Sequence, residues 1–533
     1  MLPDQNAATI MVMGTSSSAG KSLLVAGLCR CFARRGIRVA PFKSQNMSNN
    51  AAVCADGAEI GRSQALQARA AGVEPRADFN PILLKPEGNT RSQVIVDGRP
   101  TGTLTAAQYF HRRDQLWPVV TAAIDRLRQE FELIVIEGAG SPAELNLADV
   151  EIVNSSVARY CRSSVILVGD IERGGVFAQL LGTLWLLSPE DRALISGLIV
   201  NKFRGDLSLF DNGVKILEER GSVPVLGVVP WIKDLHLPEE DALAITARHA
   251  AATGKSQTNH TVLKIAVVHL PHISNFDDFD PLEQHDGVQV SYTSSVESID
   301  DADVVILPGT KNTIEDLRWL RTSGMADAIV RRALHGKHIV GICGGYQILG
   351  RHIHNPAGIE GSNREAVGLG LLDVDTIFLE DKQTRQVQTA IVDDIVAPGT
   401  KGLELTGYEI HHGRTRTSSS WLSRLSSDAS PEDTMDGAHS ADGRIWGCYL
   451  HGIFHNDSLR VAWLRSLGVA ASSENTRTAL ATIDDSLDRL ANALESHLDL
   501  DRLLQEIGFT RKEPHPCQHP MKPAKRTSNA WFA

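Results

Sequence analysis

The segment GTSSSAGKS, Gly14 to Ser22, constrains this chain more than any other stretch. It follows an apolar strand at residues 8–13 and opens a helical pattern at 21–35, with a second strand at 38–42 close behind. Strand, glycine-rich loop, helix and strand in that order open a parallel α/β sheet, because a parallel neighbour is reached only through a crossover. In that setting backbone N–H groups and a helix N-terminus cradle phosphate oxygens. Gly14 and Gly20 shape the turn, Lys21 neutralises phosphate charge, and the Ser22 hydroxyl is the expected ligand of Mg²⁺. Five residues, not the usual four, separate the two glycines. Such a turn can be merely structural, but Gly-Lys-Ser opening a helix after a strand favours a nucleotide.

Four more apolar runs, at 133–136, 164–168, 197–200 and 225–228, suit strands buried on both faces. Residues just beyond such strands sit where open α/β sheets bind ligands. Lys43 is therefore a candidate second phosphate cation. Glu137, followed by Gly-Ala-Gly, is a candidate metal-facing acid, and Glu59 is put forward in the same role. Asp170 and Glu172, with Arg173, are divided between metal or substrate contact and plain ion pairing.

At 533 residues the chain exceeds one core and divides into domains. The first is expected over 1–245. A linker rich in Ala, Thr, Ser and Asn follows over 246–261, then a second α/β pattern over 262–460 with strands at 264–268, 304–307 and 338–342. A helical segment over 461–511 and a disordered tail over 512–533 complete the chain, and residues 418–442 read as an exposed loop. A net charge of −11 offers no basic face for nucleic acid. No apolar run approaches membrane length, no signal peptide is evident, and seven scattered cysteines do not form a disulfide pattern, so a cytoplasmic site is expected. Cys29 and Cys31 are expected to be buried. Oligomeric state is not readable.

In VGICGGYQILG, Cys343 stands between an apolar strand and a helix, with Gly341, Gly344 and Gly345 around it. A tight strand-to-helix turn exposes a nucleophile, glycines permit the turn, and a helix N-terminus favours a thiolate. Backbone N–H groups after the cysteine and at Gly309 and Thr310 are candidates for an oxyanion hole. The thiol needs a base. His451 in GCYLHGIFHND is the choice and His455 its competitor, with His411 or His412 expected to line the pocket.

With GTSSSAGKS, PFKSQNMSNN, EGAGSPAELNL, DIERGGVFAQL, LPHISNFDDFDPL, ILPGTKNT, GICGGYQILG and GYEIHHG in place, the chain resembles the cobyric acid synthase family of the cobalamin pathway. The resemblance implies an N-terminal phosphate-binding parallel sheet of dethiobiotin synthetase type and a C-terminal α/β domain like class I glutamine amidotransferases. It implies ATP, Mg²⁺ and L-glutamine as reactants and cofactor, and a small-molecule corrinoid partner. Four carboxylates, b, d, e and g, of adenosylcobyrinic acid a,c-diamide would become amides. Cys343 and His451 fall on that class's nucleophile and base. The Glu usually two residues after the base is Ile453 here, so the resemblance implies a Cys–His dyad without its carboxylate. Alternatives are a cobyrinic acid a,c-diamide synthase, with the same two modules, and a non-enzymatic nucleotide switch, which gives Cys343 no purpose.

Overall fold

The computed structural model describes residues 6–88, 90–240, 262–361, 363–425, 435–470 and 478–509. The expected linker at 246–261 and tail at 512–533 lie outside them. The phosphate loop follows the central strand Ala8–Gly14 of a six-stranded parallel sheet. Across that sheet the order is Val225–Pro230, Ile195–Phe203, Ser164–Asp170, Ala8–Gly14, Leu133–Glu137 and Val39–Phe42. Leu133–Glu137 and Val39–Phe42 are buried at every position, as strands covered on both faces must be.

Between Val39–Phe42 and Leu133–Glu137 the chain inserts a small sheet, including Gln45–Met47 and Ile82–Pro86, and the hairpin Ala51–Val53 with Glu59–Gly61. These insertions face the second domain. There, five parallel strands run in the order Val288–Thr293, Leu263–Val268, Val304–Leu307, His338–Ile342 and Ile445–Cys448, edged by the antiparallel Ala438–His439. A long antiparallel pair, Asp375–Ile391 with Glu404–Arg416, reaches toward the first domain: Gln386 Nε2 donates to Val53 O at 2.9 Å.

The segment expected to be helical over 461–511 contains helices Ala479–His497 and Leu500–Glu506, and the first of them packs on the first domain. Helix Ala479–His497 carries Ile483, Leu487, Leu490, Ala491 and Leu494 on one face and lays them on the first domain's helix Lys21–Arg34. Gly27 permits the approach, since a Cβ there would collide with the Leu494 methyl group. The boundary at 460 falls inside a continuous helix, Asp457–Ser466. Residues 418–442 are not simply an exposed loop: Trp421, Leu422 and Ala438 are fully buried, and Trp421 packs edge-on against Trp446. Their apolar content outweighs the flanking serines, while 426–434 lie outside the described residues. Cys29 and Cys31 are buried as expected, and burial pushes the Cys31 thiol up to about 12. Among the described residues no helix is long and apolar enough to cross a membrane.

Candidate active sites

The first site lies at the carboxyl ends of the parallel strands. Gly20 takes φ +95° at the helix start, and any Cβ there would strike the Asn201 amide, which donates to Ala19 O at 2.9 Å. Lys21 curls back over the loop, with Nζ donating to Ser16 O and Gly140 O, each at 3.0 Å. A side chain at Gly14 would press on that ammonium. Ser22 Oγ donates to Glu137 Oε1 at 2.8 Å, and Lys43 Nζ donates to the same oxygen at 2.8 Å. Gln67 Nε2 donates to the other oxygen. Burial raises the Glu137 carboxyl, but Lys43 and these hydrogen bonds outweigh it and hold the group below its ordinary value.

Thus Gly14, Gly20, Lys21, Ser22, Lys43 and Glu137 are brought together. Lys21, Ser22, Lys43 and Glu137 border a cavity of about 650 Å³. Sequence reading missed Glu240, also on this cavity, which lies 3.6 Å from Lys43 and accepts from Ser63 Oγ at 2.9 Å and from Asn46. Burial raises its carboxyl, and the nearby Glu137 charge adds to that. Glu59 is not brought to this group. Its two oxygens are taken by Lys85 and Lys382, whose charges hold it down at about 2 against the effect of burial. A carboxylate so neutralised has no free oxygen to offer a cation, so the metal role expected for it is withdrawn. Asp170 pairs with Lys202 at 2.8 Å and Glu172 with Arg204 at 2.7 Å, which is the ion-pairing alternative.

The second site forms at Cys343, which sits at φ 51° and ψ −108° between strand His338–Ile342 and helix Gly344–Leu349. That conformation is strained for a residue with a Cβ and is held by close packing on both sides. A Cβ at Gly345 would collide with Leu307 O, so only glycine lets the helix lie against strand Val304–Leu307. Cys343 borders a cavity of about 30 Å³ together with Thr310, Gly344, Glu360, Lys382 and His412. His411 lines it as well, stacked on Tyr449 at 3.7 Å.

His451 is fully buried, and its Nδ1 lies 2.7 Å from Asp278 Oδ2. Asp278 Oδ1 accepts from Gly452 N at 2.8 Å. The implied dyad without a carboxylate is therefore corrected: an acid from a different loop, NFDDFD, takes the place that Ile453 leaves vacant. Two acids between phenylalanines were the available signal, because carboxylates flanked by buried aromatics need partners. Burial lowers the His451 pKa, but the Asp278 and Cys343 charges and hydrogen bonds to both prevail and raise it to about 10. His455 is instead driven down to about 3 by burial and by Arg62.

Comparison with known proteins follows the same division. A family model described as the CobQ/CobB/MinD/ParA nucleotide binding domain matches residues 10–244, and one described as a CobB/CobQ-like glutamine amidotransferase domain matches 264–459. The cobyric acid synthase of Chloroflexus aurantiacus is 52% identical over 505 residues, covering 94% of this chain and 99% of that protein. This chain belongs to the cobyric acid synthase family. The family's member from Roseiflexus castenholzii is 54% identical over 467 residues, covering 87% of this chain and 92% of its own. That of Sorangium cellulosum is 47% identical over 523 residues, covering 95% and 100%. As family membership and both domains establish, the chain is a glutamine-dependent, amide-forming ligase with a nucleotide-binding domain.

Proposed function

We propose that this ligase converts the b, d, e and g carboxylates of adenosylcobyrinic acid a,c-diamide into amides, giving adenosylcobyric acid, with ATP and glutamine consumed at separate sites. The observation that carries the reading is the pairing, in one chain, of a buried cysteine beside a His–Asp couple with a large cavity over a phosphate loop. A carboxylate resists amidation because its oxygen is a poor leaving group, so it must be activated before ammonia attacks.

At the first site, Lys21 and the loop N–H groups receive the nucleotide phosphates. Ser22 and Glu137 are hard oxygen donors 2.8 Å apart, a set that fits Mg²⁺, which takes one or two protein oxygens alongside phosphate and water. Held by Ser22 and Glu137, the ion would offset the charge of the nucleotide phosphates. The γ-phosphoryl group passes to a substrate carboxylate oxygen, leaving ADP and an acyl phosphate. Ammonia then attacks the acyl carbon and phosphate departs.

At the second site, the Cys343 thiolate attacks the glutamine side-chain amide carbon. His451 delivers a proton to the departing nitrogen, ammonia leaves, and a γ-glutamyl thioester remains for water to hydrolyse. Asp278 holds the Nδ1–H tautomer, so Nε2 faces the reacting atoms. Backbone N–H groups at Gly344 and Thr310 suit the developing oxyanion. Lys85 and Lys382 share one carboxylate, Glu59, and so leave net positive charge on the cavity wall for the glutamine α-carboxylate, with Glu360 placed for its α-ammonium group.

The test is mass spectrometry of adenosylcobyrinic acid a,c-diamide incubated with ATP, Mg²⁺ and either glutamine or ammonia. Stepwise amidation from both nitrogen sources is expected, with Cys343→Ala losing only the glutamine-driven reaction. No mass change from either source with the wild-type protein would overturn the substrate assignment.

A further inference from the structure

Two neighbours at the start of helix Arg62–Ala71 face different sites. Ser63 hydrogen-bonds Glu240 beside the nucleotide cavity. Arg62 crosses into the second domain. Its Nη2 donates to Tyr408 Oη at 2.6 Å and lies 2.7 Å from Asp277 Oδ2, with the guanidinium 5.1 Å from the Tyr408 ring centroid. Both members of the ion pair have side chains 1% exposed. Buried ion pairs are poor stabilisers, since an apolar pair of equal volume often does as well or better. Arg62 therefore calls for a reason beyond cohesion.

Tyr408 touches His451 directly, and Asp277 adjoins the acid that does. The Tyr408 ring stacks on the imidazole at 5.1 Å and 17°, and the two residues exchange backbone hydrogen bonds of 3.2 and 2.9 Å. Asp277 immediately precedes Asp278, which holds Nδ1. The backbone of Arg62 is itself fixed, its N–H donating to Asn50 O at 3.2 Å. Asn50 Oδ1 accepts from Asn275 N at 2.7 Å, Asn275 Oδ1 accepts from Ala51 N at 3.0 Å, and Asn275 Nδ2 lies 3.4 Å from His451 Nε2. The nucleotide-binding domain thus reaches the imidazole's ring face through Tyr408 and its reactive nitrogen through Asn275, and it touches the acid loop directly at Asp277.

We propose that Arg62 is a positioning residue of the glutaminase: from the nucleotide-binding domain it sets Tyr408 and the Asp277–Asp278 loop so that His451 is aimed at Cys343. The inference rests on the Cys343–His451–Asp278 reading above. Glutamine cleavage then depends on the domain that uses its ammonia, which limits wasteful hydrolysis.

The test uses the full-length chain carrying Arg62→Met, assayed for glutamine hydrolysis and for amidation from ammonia. Misplacement of a base by about an ångström costs on the order of 100-fold, so kcat for glutamine is expected to fall by about that much. KM for glutamine and amidation from ammonia should each move less than about twofold, the pattern of an interaction made only in the transition state. Added guanidinium ion, at concentrations below those that unfold the chain, should restore part of kcat in Arg62→Ala, which a purely structural role would not allow. Retained hydrolysis, or equal loss with both nitrogen sources, overturns the proposal. Should the Arg62 variants not fold, Tyr408→Phe decides it: the stack stays and the acceptor goes, with a loss of about tenfold in glutamine kcat expected and unchanged hydrolysis overturning the proposal. Cys343→Ala runs alongside. If it still hydrolyses glutamine, the glutaminase reading itself fails; if it does not while Arg62→Met and Tyr408→Phe do so normally, only the role of Arg62 fails.

Discussion

Around Cys343 the cavity measures about 30 Å³ and its acid–base groups are already in contact, Asp278 on His451 at 2.7 Å. Above the phosphate loop the space is about 650 Å³, and Lys21 is engaged with the backbone carbonyls of Ser16 and Gly140. One site has its His–Asp pair in contact and little room; the other has room, with Lys21 on its wall. On the proposed function, the difference follows from what each site handles. Cleaving one small amide benefits from fixed dipoles that need no reorganisation. Receiving a nucleotide and a large substrate requires volume first.

The sharpest way to break this comparison is Asp278→Asn. If the glutaminase is as preassembled as its geometry indicates, loss of the carboxylate leaves His451 in the wrong tautomer, and glutamine-dependent kcat falls by about 10³- to 10⁴-fold. Amidation from ammonia should be unchanged in the same assay. A drop under tenfold would mean that Tyr408 and Asn275 alone orient the ring.

Glu137→Gln tests the other side. Ser22, Lys43 and Gln67 all converge on this carboxylate, so its loss should slow amidation from glutamine and from ammonia alike, by about 10²- to 10³-fold. A loss confined to glutamine would mean that the two sites are not separate in function. Leu494→Ala probes how the open site is supported. The residue is fully buried against helix Lys21–Arg34, which carries Lys21 and Ser22, and truncation should cost about 2–5 kcal/mol in denaturant unfolding. Glutamine hydrolysis should survive under folding conditions, because Leu494 is not among the residues that link Arg62 to the glutaminase.

What the sequence made legible divides along the same line. The phosphate loop and the Cys343 turn each lie within ten residues or so, and their glycines are demanded by local backbone shape. Glu137 and Lys43 were readable because each stands at the end of a wholly buried strand. Asp278, Glu240 and Arg62 were not assigned, since their roles are fixed by partners far along the chain, 173 residues away for Asp278 and His451. Glu59 misled for the complementary reason: an acid in a motif looks like a metal ligand until Lys85 and Lys382 are seen to enclose it. The pair Asp375–Ile391 and Glu404–Arg416 escaped notice because DTIFLEDKQTRQVQTAI is too polar for a buried strand. It is instead a half-exposed ribbon, and it delivers Lys382, Tyr408 and His411 to the interface.

The smallest expected effect concerns how the tight site admits glutamine. Glu360 accepts from Thr313 N at 2.8 Å, and burial pushes its carboxyl up to about 7 despite Lys311 nearby. The group is neutral below that pH and ionised above it, and only the ionised form attracts an α-ammonium group. KM for glutamine should therefore climb as pH falls below about 7, approaching tenfold per unit, while kcat changes less. Glu360→Gln should flatten this dependence and leave KM raised about tenfold near pH 8. The stability sign runs opposite. A carboxyl whose folded pKa lies above its unfolded value favours folding most below the unfolded value, and that contribution is lost as pH rises through about 7. The same substitution should therefore stabilise the fold near pH 8 while weakening glutamine binding, the exchange expected where a charge is kept for a ligand rather than for the fold. A wild-type KM that stays flat from about pH 6 to about pH 8 would place the α-ammonium group elsewhere. The preassembled site would then owe its selectivity to the lysine side of the cavity alone.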